Sequence, residues 1–181
     1  MVEFSLPKNS KIREGKTWPA AAGAKRPKAF RVYRWNGDDG ETPQVDTYTV
    51  DLDDCGPMVL DAIIKIKNEI DPTVTFRRSC REGVCGSCAM MVNGKPRWTC
   101  RTLVETVVGP SATLTLAPLR NLPVIKDLVA DMNVYFEKWG QAKGSFDDGG
   151  RPETDLVPVD PATDARRETD ETIDCINCGV C

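Results

Sequence analysis

Seven of the eight cysteines in this 181-residue chain fall into two tight groups, and the chain has no histidine. Cys80, Cys85, Cys88 and Cys100 have the spacing C-x4-C-x2-C-x11-C, and Cys175, Cys178 and Cys181 have the spacing C-x2-C-x2-C. Only Cys55 stands apart, before Gly56-Pro57, where it reads as a small buried or helix-start residue. Met1 to Lys16 lacks the apolar core of a secretory signal. A secreted disulfide scaffold is therefore not expected, and cysteines crowded like this in an intracellular chain usually bind metal. The absence of histidine excludes two-Cys, two-His zinc fingers and any Ser-His-Asp or Cys-His catalytic apparatus.

The first group reads as a ligand set. The pattern C-x4-C-x2-C followed by a distant cysteine is that of plant-type [2Fe–2S] sites. Four thiolates must surround two irons: a short loop supplies three, and a strand reached through a hairpin supplies the fourth. Gly83 and Gly86 lie inside the loop, where a residue without Cβ lets the backbone fold closely and adopt positive φ. Loop amides can then point at sulfur and stabilise the more negative, reduced form. Arg77, Arg78 and Arg81 flank the loop, and guanidinium groups beside an anionic cluster favour an added electron. Three other readings stand beside this one. A structural zinc site could use four cysteines, although only Cys85 and Cys88 form the C-x2-C knuckle of a zinc ribbon. A Cys85–Cys88 redox disulfide would leave Cys80 and Cys100 unexplained. Buried, unligated cysteines are the third.

The second group is the front of the C-x2-C-x2-C-x3-C-P run of bacterial-type ferredoxins. Three thiolates hold a [4Fe–4S] cluster only with an outside fourth ligand. A chain ending on a ligand reads as part of a longer protein.

Hydrophobic patterning places these groups. Residues 1–27 read as a basic arm; nine Lys/Arg against two Glu occupy the first 34 positions. Ala29–Trp35 and Val45–Leu52 alternate as a hairpin around the turn-rich Asn36–Gln44. Pro57 opens a helix with an apolar face at Val59, Leu60, Ile63, Ile64 and Ile66, and Asp71-Pro72 ends it. Cys88–Trp98 reads as two strands around Asn93-Gly94, and Thr113–Ala117 as another. A second helix is expected from Leu122-Pro123 to Gly140, its stripe of Ile125, Leu128, Val129, Met132, Tyr135, Phe136 and Trp139 facing a core. Residues 141–174 read as an acidic linker before the final cysteines. This order suits an α+β domain of β-grasp type over residues 28–140. No run of roughly 20 apolar residues predicts a membrane span. A net charge of −3 argues against nucleic acid as a partner.

The segment CGPMVLDAIIKIKNEIDPTVTFRRSCREGVCGSCAMMVNGKPRWTC resembles the N-terminal domain of succinate dehydrogenase and fumarate reductase iron–sulfur subunits. LPVIKDLVADM, residues 122–132, resembles the helix that follows that domain in the same subunits, and CINCGVC, residues 175–181, resembles the start of their second domain. The resemblance implies a plant-ferredoxin-like domain followed by the start of an α-helical bacterial-type ferredoxin-like domain. It implies [2Fe–2S] ligands at Cys80, Cys85, Cys88 and Cys100, and the first three [4Fe–4S] ligands at Cys175, Cys178 and Cys181. The remaining [4Fe–4S] ligand and the [3Fe–4S] ligands are expected only in a longer chain. It implies electron relay from an FAD-containing flavoprotein subunit, where succinate is oxidised, towards quinone at membrane anchor subunits, with no substrate chemistry in this chain. The implied location is the cytoplasmic face of a bacterial inner membrane, or the matrix side of the mitochondrial inner membrane. Fumarate reductase or a free [2Fe–2S] carrier are the alternatives.

Overall fold

A computed structural model describes residues 11–39, 41–108, 113–142, 162–164, 166–167, 175–176 and 178–179. Its centre is a mixed six-stranded sheet in the order β1-β3-β2-β6-β4-β5. The strands are β1 (Arg13–Trp18), β2 (Pro27–Arg34), β3 (Gln44–Asp51), β4 (Ala89–Val92), β5 (Lys95–Trp98) and β6 (Thr113–Ala117). The expected hairpin is β2 with β3, antiparallel, with Phe30 opposite Tyr48. Strand β6 returns parallel to β2, and β4 pairs antiparallel to β6. Helix α1 (Val59–Lys65), extended by a π turn over Ile66–Ile70, crosses between the hairpin and the later strands. The architecture is α+β, as the element order suggested, of the ferredoxin-like form that the resemblance implied.

Periodicity fixes what is sealed. Phe30 and Val32 of β2, Tyr48 and Val50 of β3, and Leu114 and Leu116 of β6 alternate inward and are buried. Val59, Ala62 and Ile63 of α1 and Ile66 of the π turn pack onto them in one core. Each such side chain contributes about 1.5–3 kcal/mol when fully buried. Helix α1 starts at Val59, two residues after Pro57, and its first turn is closed by others. Met58 N–H donates to Asp61 Oδ2 (3.1 Å), Val59 N–H to the Thr102 carbonyl (2.9 Å) and Leu60 N–H to the Thr99 carbonyl (3.0 Å). Helix starts leave such donors unpaired. Here the segment around Cys100 takes two of them, so helix and cysteine segment are locked together.

Three departures from the sequence reading stand out. Strand β1 lies within the segment read as an arm and pairs parallel to β3; Trp18 stacks on Tyr48 at 4.4 Å. A short helix, α2 (Val104–Val108), went unforeseen. The third corrects the expected 122–140 helix. It is two short strands, β7 (Val124–Lys126) and β8 (Val129–Ala130), followed by helix α3 (Asn133–Gln141). Between the strands, Asp127 has φ +47° and is 2% exposed. Its carboxylate accepts the N–H groups of Trp35 (3.0 Å) and Thr75 (2.9 Å). The stripe also splits: Leu128 and Val129 are buried, while Ile125 and Phe136 are half exposed. Residues 1–10 and most of the expected acidic linker lie outside the described residues, as does Cys181.

Candidate iron–sulfur site

Cys88 immediately precedes β4 and Cys100 follows β5 by two residues, so the β4–β5 hairpin brings them to one end. Asn93 (φ +48°) and Gly94 (φ +75°) make the two-residue turn. The ends are tied by Thr99, whose hydroxyl donates to the Cys88 carbonyl at 3.0 Å. Cys88 and Cys100 are nearly sealed and pack with Leu60, Ile64 and Phe76. They form the floor of the site; Cys80 and the exposed Cys85 form its rim.

The loop from Cys80 to Cys88 wraps the thiols with its own amides. The N–H groups of Glu82 and Cys85 each lie 3.4 Å from the Cys80 sulfur. The Cys80 amide faces the Cys85 sulfur at 3.5 Å, and the Cys100 amide faces the Cys88 sulfur at 3.5 Å. This wrapping needs left-handed backbone at Arg81 (φ +64°), Gly83 (φ +78°) and Gly86 (φ +68°). The two glycines are thus where the sequence placed them for this reason; Arg81 was not anticipated.

Electrostatics divide the thiols. The Glu82 amide, then the Cys85 thiol and amide and the Val84 amide, pull Cys80 down to about 6. Burial, then the neighbouring Cys88 thiol, pushes Cys100 up to about 11; the Gly83 amide opposes and Cys80 adds to the rise. All four sulfurs therefore belong to one interacting set, with donors aimed where negative charge would collect. That is the donor set an iron–sulfur cluster needs: four thiolates, backbone N–H groups at sulfur and an apolar floor. A Cys85–Cys88 redox pair does not account for Cys80 and Cys100 joining the same set.

The flanking cations are less available than the sequence implied. Arg81 Nη2 donates to Asp61 Oδ1 at 2.5 Å, and Arg77 Nη1 donates to the Ala130 carbonyl at 2.7 Å. Cys55 lies apart against the main core. Of the second group, Cys178 packs against Ala89, Met91 and Leu119, and the Tyr135 hydroxyl lies 3.9 Å from the Cys175 sulfur. No helix among the described residues is long and apolar enough to cross a membrane.

The chain is similar to known proteins. Residues 29–137 match the family of 2Fe-2S iron-sulfur cluster binding domains. The whole chain is 43% identical to a succinate dehydrogenase iron-sulfur subunit of Paracoccus denitrificans, of which it covers 68%. Its structure is similar to a chain of the Mycobacterium smegmatis Sdh1 complex in the apo form. That match has a TM-score of 0.68 and 31% identity, covering 87% of this chain and 63% of that one. The chain thus spans about two thirds of the length of the relatives it matches.

Proposed function

The chain belongs to the family of succinate dehydrogenase iron–sulfur subunits, and from that premise we propose that it relays electrons within a succinate:quinone oxidoreductase. The observation that carries this is the gathering of Cys80, Cys85, Cys88 and Cys100 beneath loop amides. These four would hold the [2Fe–2S] cluster, which supplies a one-electron site. The amides of Glu82 and Cys85 at the Cys80 sulfur offset negative charge there, which favours reduction. Leu60, Ile64 and Phe76 keep water from the Cys88 and Cys100 side.

Substrate chemistry falls to other subunits. We assign electron delivery to an FAD-containing flavoprotein, and electron removal towards quinone to membrane anchor subunits. A peripheral place on the cytoplasmic face of a bacterial inner membrane follows. Cys175, Cys178 and Cys181 open a bacterial-type ferredoxin-like domain; a full-length chain would complete the [4Fe–4S] and [3Fe–4S] sites.

The test is electron paramagnetic resonance on the anaerobically purified chain, with iron and acid-labile sulfide counted on the same sample. We expect a rhombic signal on dithionite reduction and about two irons per chain in the first site. Cys88→Ser abolishes the signal and Cys55→Ser preserves it. Zinc in place of iron, with a silent spectrum, overturns the proposal. Co-purification of an FAD protein tests the partner.

A further inference from the structure

The two cysteine groups are 75 residues apart between Cys100 and Cys175, yet the described part of the second lies against the first. A Cβ on Gly86 would stand 2.7 Å from Cys178 Cα, 2.8 Å from Cys178 Cβ and 2.9 Å from the Ile176 carbonyl oxygen. Two of these three atoms are backbone, which cannot swing aside as a side-chain end can. A side chain at position 86 therefore displaces the segment or the loop. On the far side of the contact, a Cβ on Gly179 would stand 2.9 Å from Met132 Cε and 3.8 Å from Leu122 Cδ1. Cys178 itself packs on Ala89, Met91 and Leu119. Tyr135 of α3 reaches Cys175. A cavity of about 300 Å³ remains between the two parts, lined by Cys85, Gly86, Met132, Phe136 and Cys178 among others.

The described part of the second motif thus lies on the cysteine loop, on β4 and on the start of α3. We propose that the cysteine loop, β4 and α3 form the seat of the Cys175–Cys178 motif, and that Gly86 is the positioning residue setting how closely that motif approaches the first four thiols. The inference rests on the electron-relay reading above. Electron transfer weakens steeply with separation, so a loop that holds one thiolate set against the backbone of the next controls the step between them. Gly86 meets two demands at once. Its φ of +68° suits glycine, and so does the missing Cβ. Asparagine separates the two, because it tolerates left-handed backbone but still carries a side chain.

The test is the rate at which a maleimide alkylates Cys178 in the cluster-loaded chain. Cys55, Cys175 and Cys181 are first replaced by serine, so that Cys178 is the one thiol outside the first group. With Gly86 in place, alkylation is slow. G86N, compared in the fraction of the chain that holds a cluster, accelerates it at least tenfold. L122N, on the other wall of the seat and outside the cysteine loop, does the same. G83N puts the same side chain at another left-handed glycine, one whose Cβ would meet Arg101 and Trp98 instead of the second motif. It leaves Cys178 protected. Equal alkylation of the parent, G86N and L122N, in whichever variants hold a cluster, overturns the inference. So does a G83N chain that exposes Cys178 as G86N does, because loop strain would then be the cause. Failure of the parent to assemble any [2Fe–2S] cluster refutes the relay reading itself, a distinguishable result.

Discussion

Arg81 holds a left-handed backbone, φ +64°, in a loop whose other two such positions are glycines. A residue with Cβ gives up about 1–2 kcal/mol there. The side chain offers a reason for its presence: it pairs with Asp61, whose other oxygen accepts the Met58 N–H at the start of α1. One carboxylate thereby joins helix cap and cysteine loop. The pairing also limits what the cation can do electrostatically. Removing a positive charge beside an anionic cluster disfavours reduction, but Asp61 already offsets that charge and the guanidinium is 53% exposed to screening water. R81Q therefore lowers the cluster's midpoint potential by less than about 59 mV, the tenfold mark for one electron. A redox titration followed by electron paramagnetic resonance checks this; a rise, or a larger fall, contradicts it. The four thiols and both glycines were readable from spacing because ligand geometry is local. The Asp61–Arg81 link was not, because it joins residues twenty apart that meet only after α1 has packed.

Between elements, the strongest polar link is buried. Arg34 of β2 pairs with Asp71 (2.7 Å), Asp127 (3.1 Å) and Asp46 (3.2 Å), and the Tyr48 hydroxyl donates to Asp71 at 2.7 Å. It ties the hairpin to the end of the π turn and to the β7–β8 turn. Burial alone would raise Asp71, but hydrogen bonds from Thr73, Tyr48 and Arg34 outweigh it and hold the carboxyl below the usual range. A depressed carboxylate contributes its stability fully above its unfolded value, about 3.9, and loses it as pH falls through the folded value. D71N therefore costs about 2 kcal/mol at pH 7. The gap between wild type and variant narrows as pH falls below about 4. Urea denaturation at pH 7 and pH 3 measures both; a gap that is constant or widens in acid is inconsistent with this account. The same link explains why the 122–140 region misled a reading by periodicity. Apolar residues at helical spacing also suit a strand–turn–strand when a buried carboxylate at the turn is claimed by distant backbone groups. Nothing near Asp127 in sequence announces Trp35, Thr75 or Arg34 as its partners. Strand β1 was hidden for another reason: Arg13–Trp18 is half charged and mostly exposed, held at the sheet edge by main-chain pairing that needs no apolar alternation.

For the molecule as a whole, the arrangement of apolar clusters decides whether metal is needed to fold. Small metal-bound domains without a core of their own unfold when the metal leaves. Here the main core of Phe30, Val32, Tyr48, Ile63, Ile66, Leu114 and Leu116 is sealed by β2, β3, β6 and α1. Cys88 and Cys100 belong to a separate, smaller cluster with Leu60. The hairpin carrying them is anchored independently, through β4–β6 pairing and the carbonyls of Thr99 and Thr102 on α1. Losing the cluster therefore removes what gathers the Cys80–Cys88 loop but not what holds the sheet. A chain with Cys80, Cys85, Cys88 and Cys100 all replaced by serine keeps its far-ultraviolet circular dichroism and melts in one cooperative step. Its Tm falls by roughly 2–4 °C for each kcal/mol the bound cluster contributed. Limited proteolysis then cuts first between Arg77 and Cys88, where the loop has lost the ligands that closed it. A non-cooperative melt, or first cuts within β2 or β3, shows instead that the cluster, and not the apolar core, organises the fold.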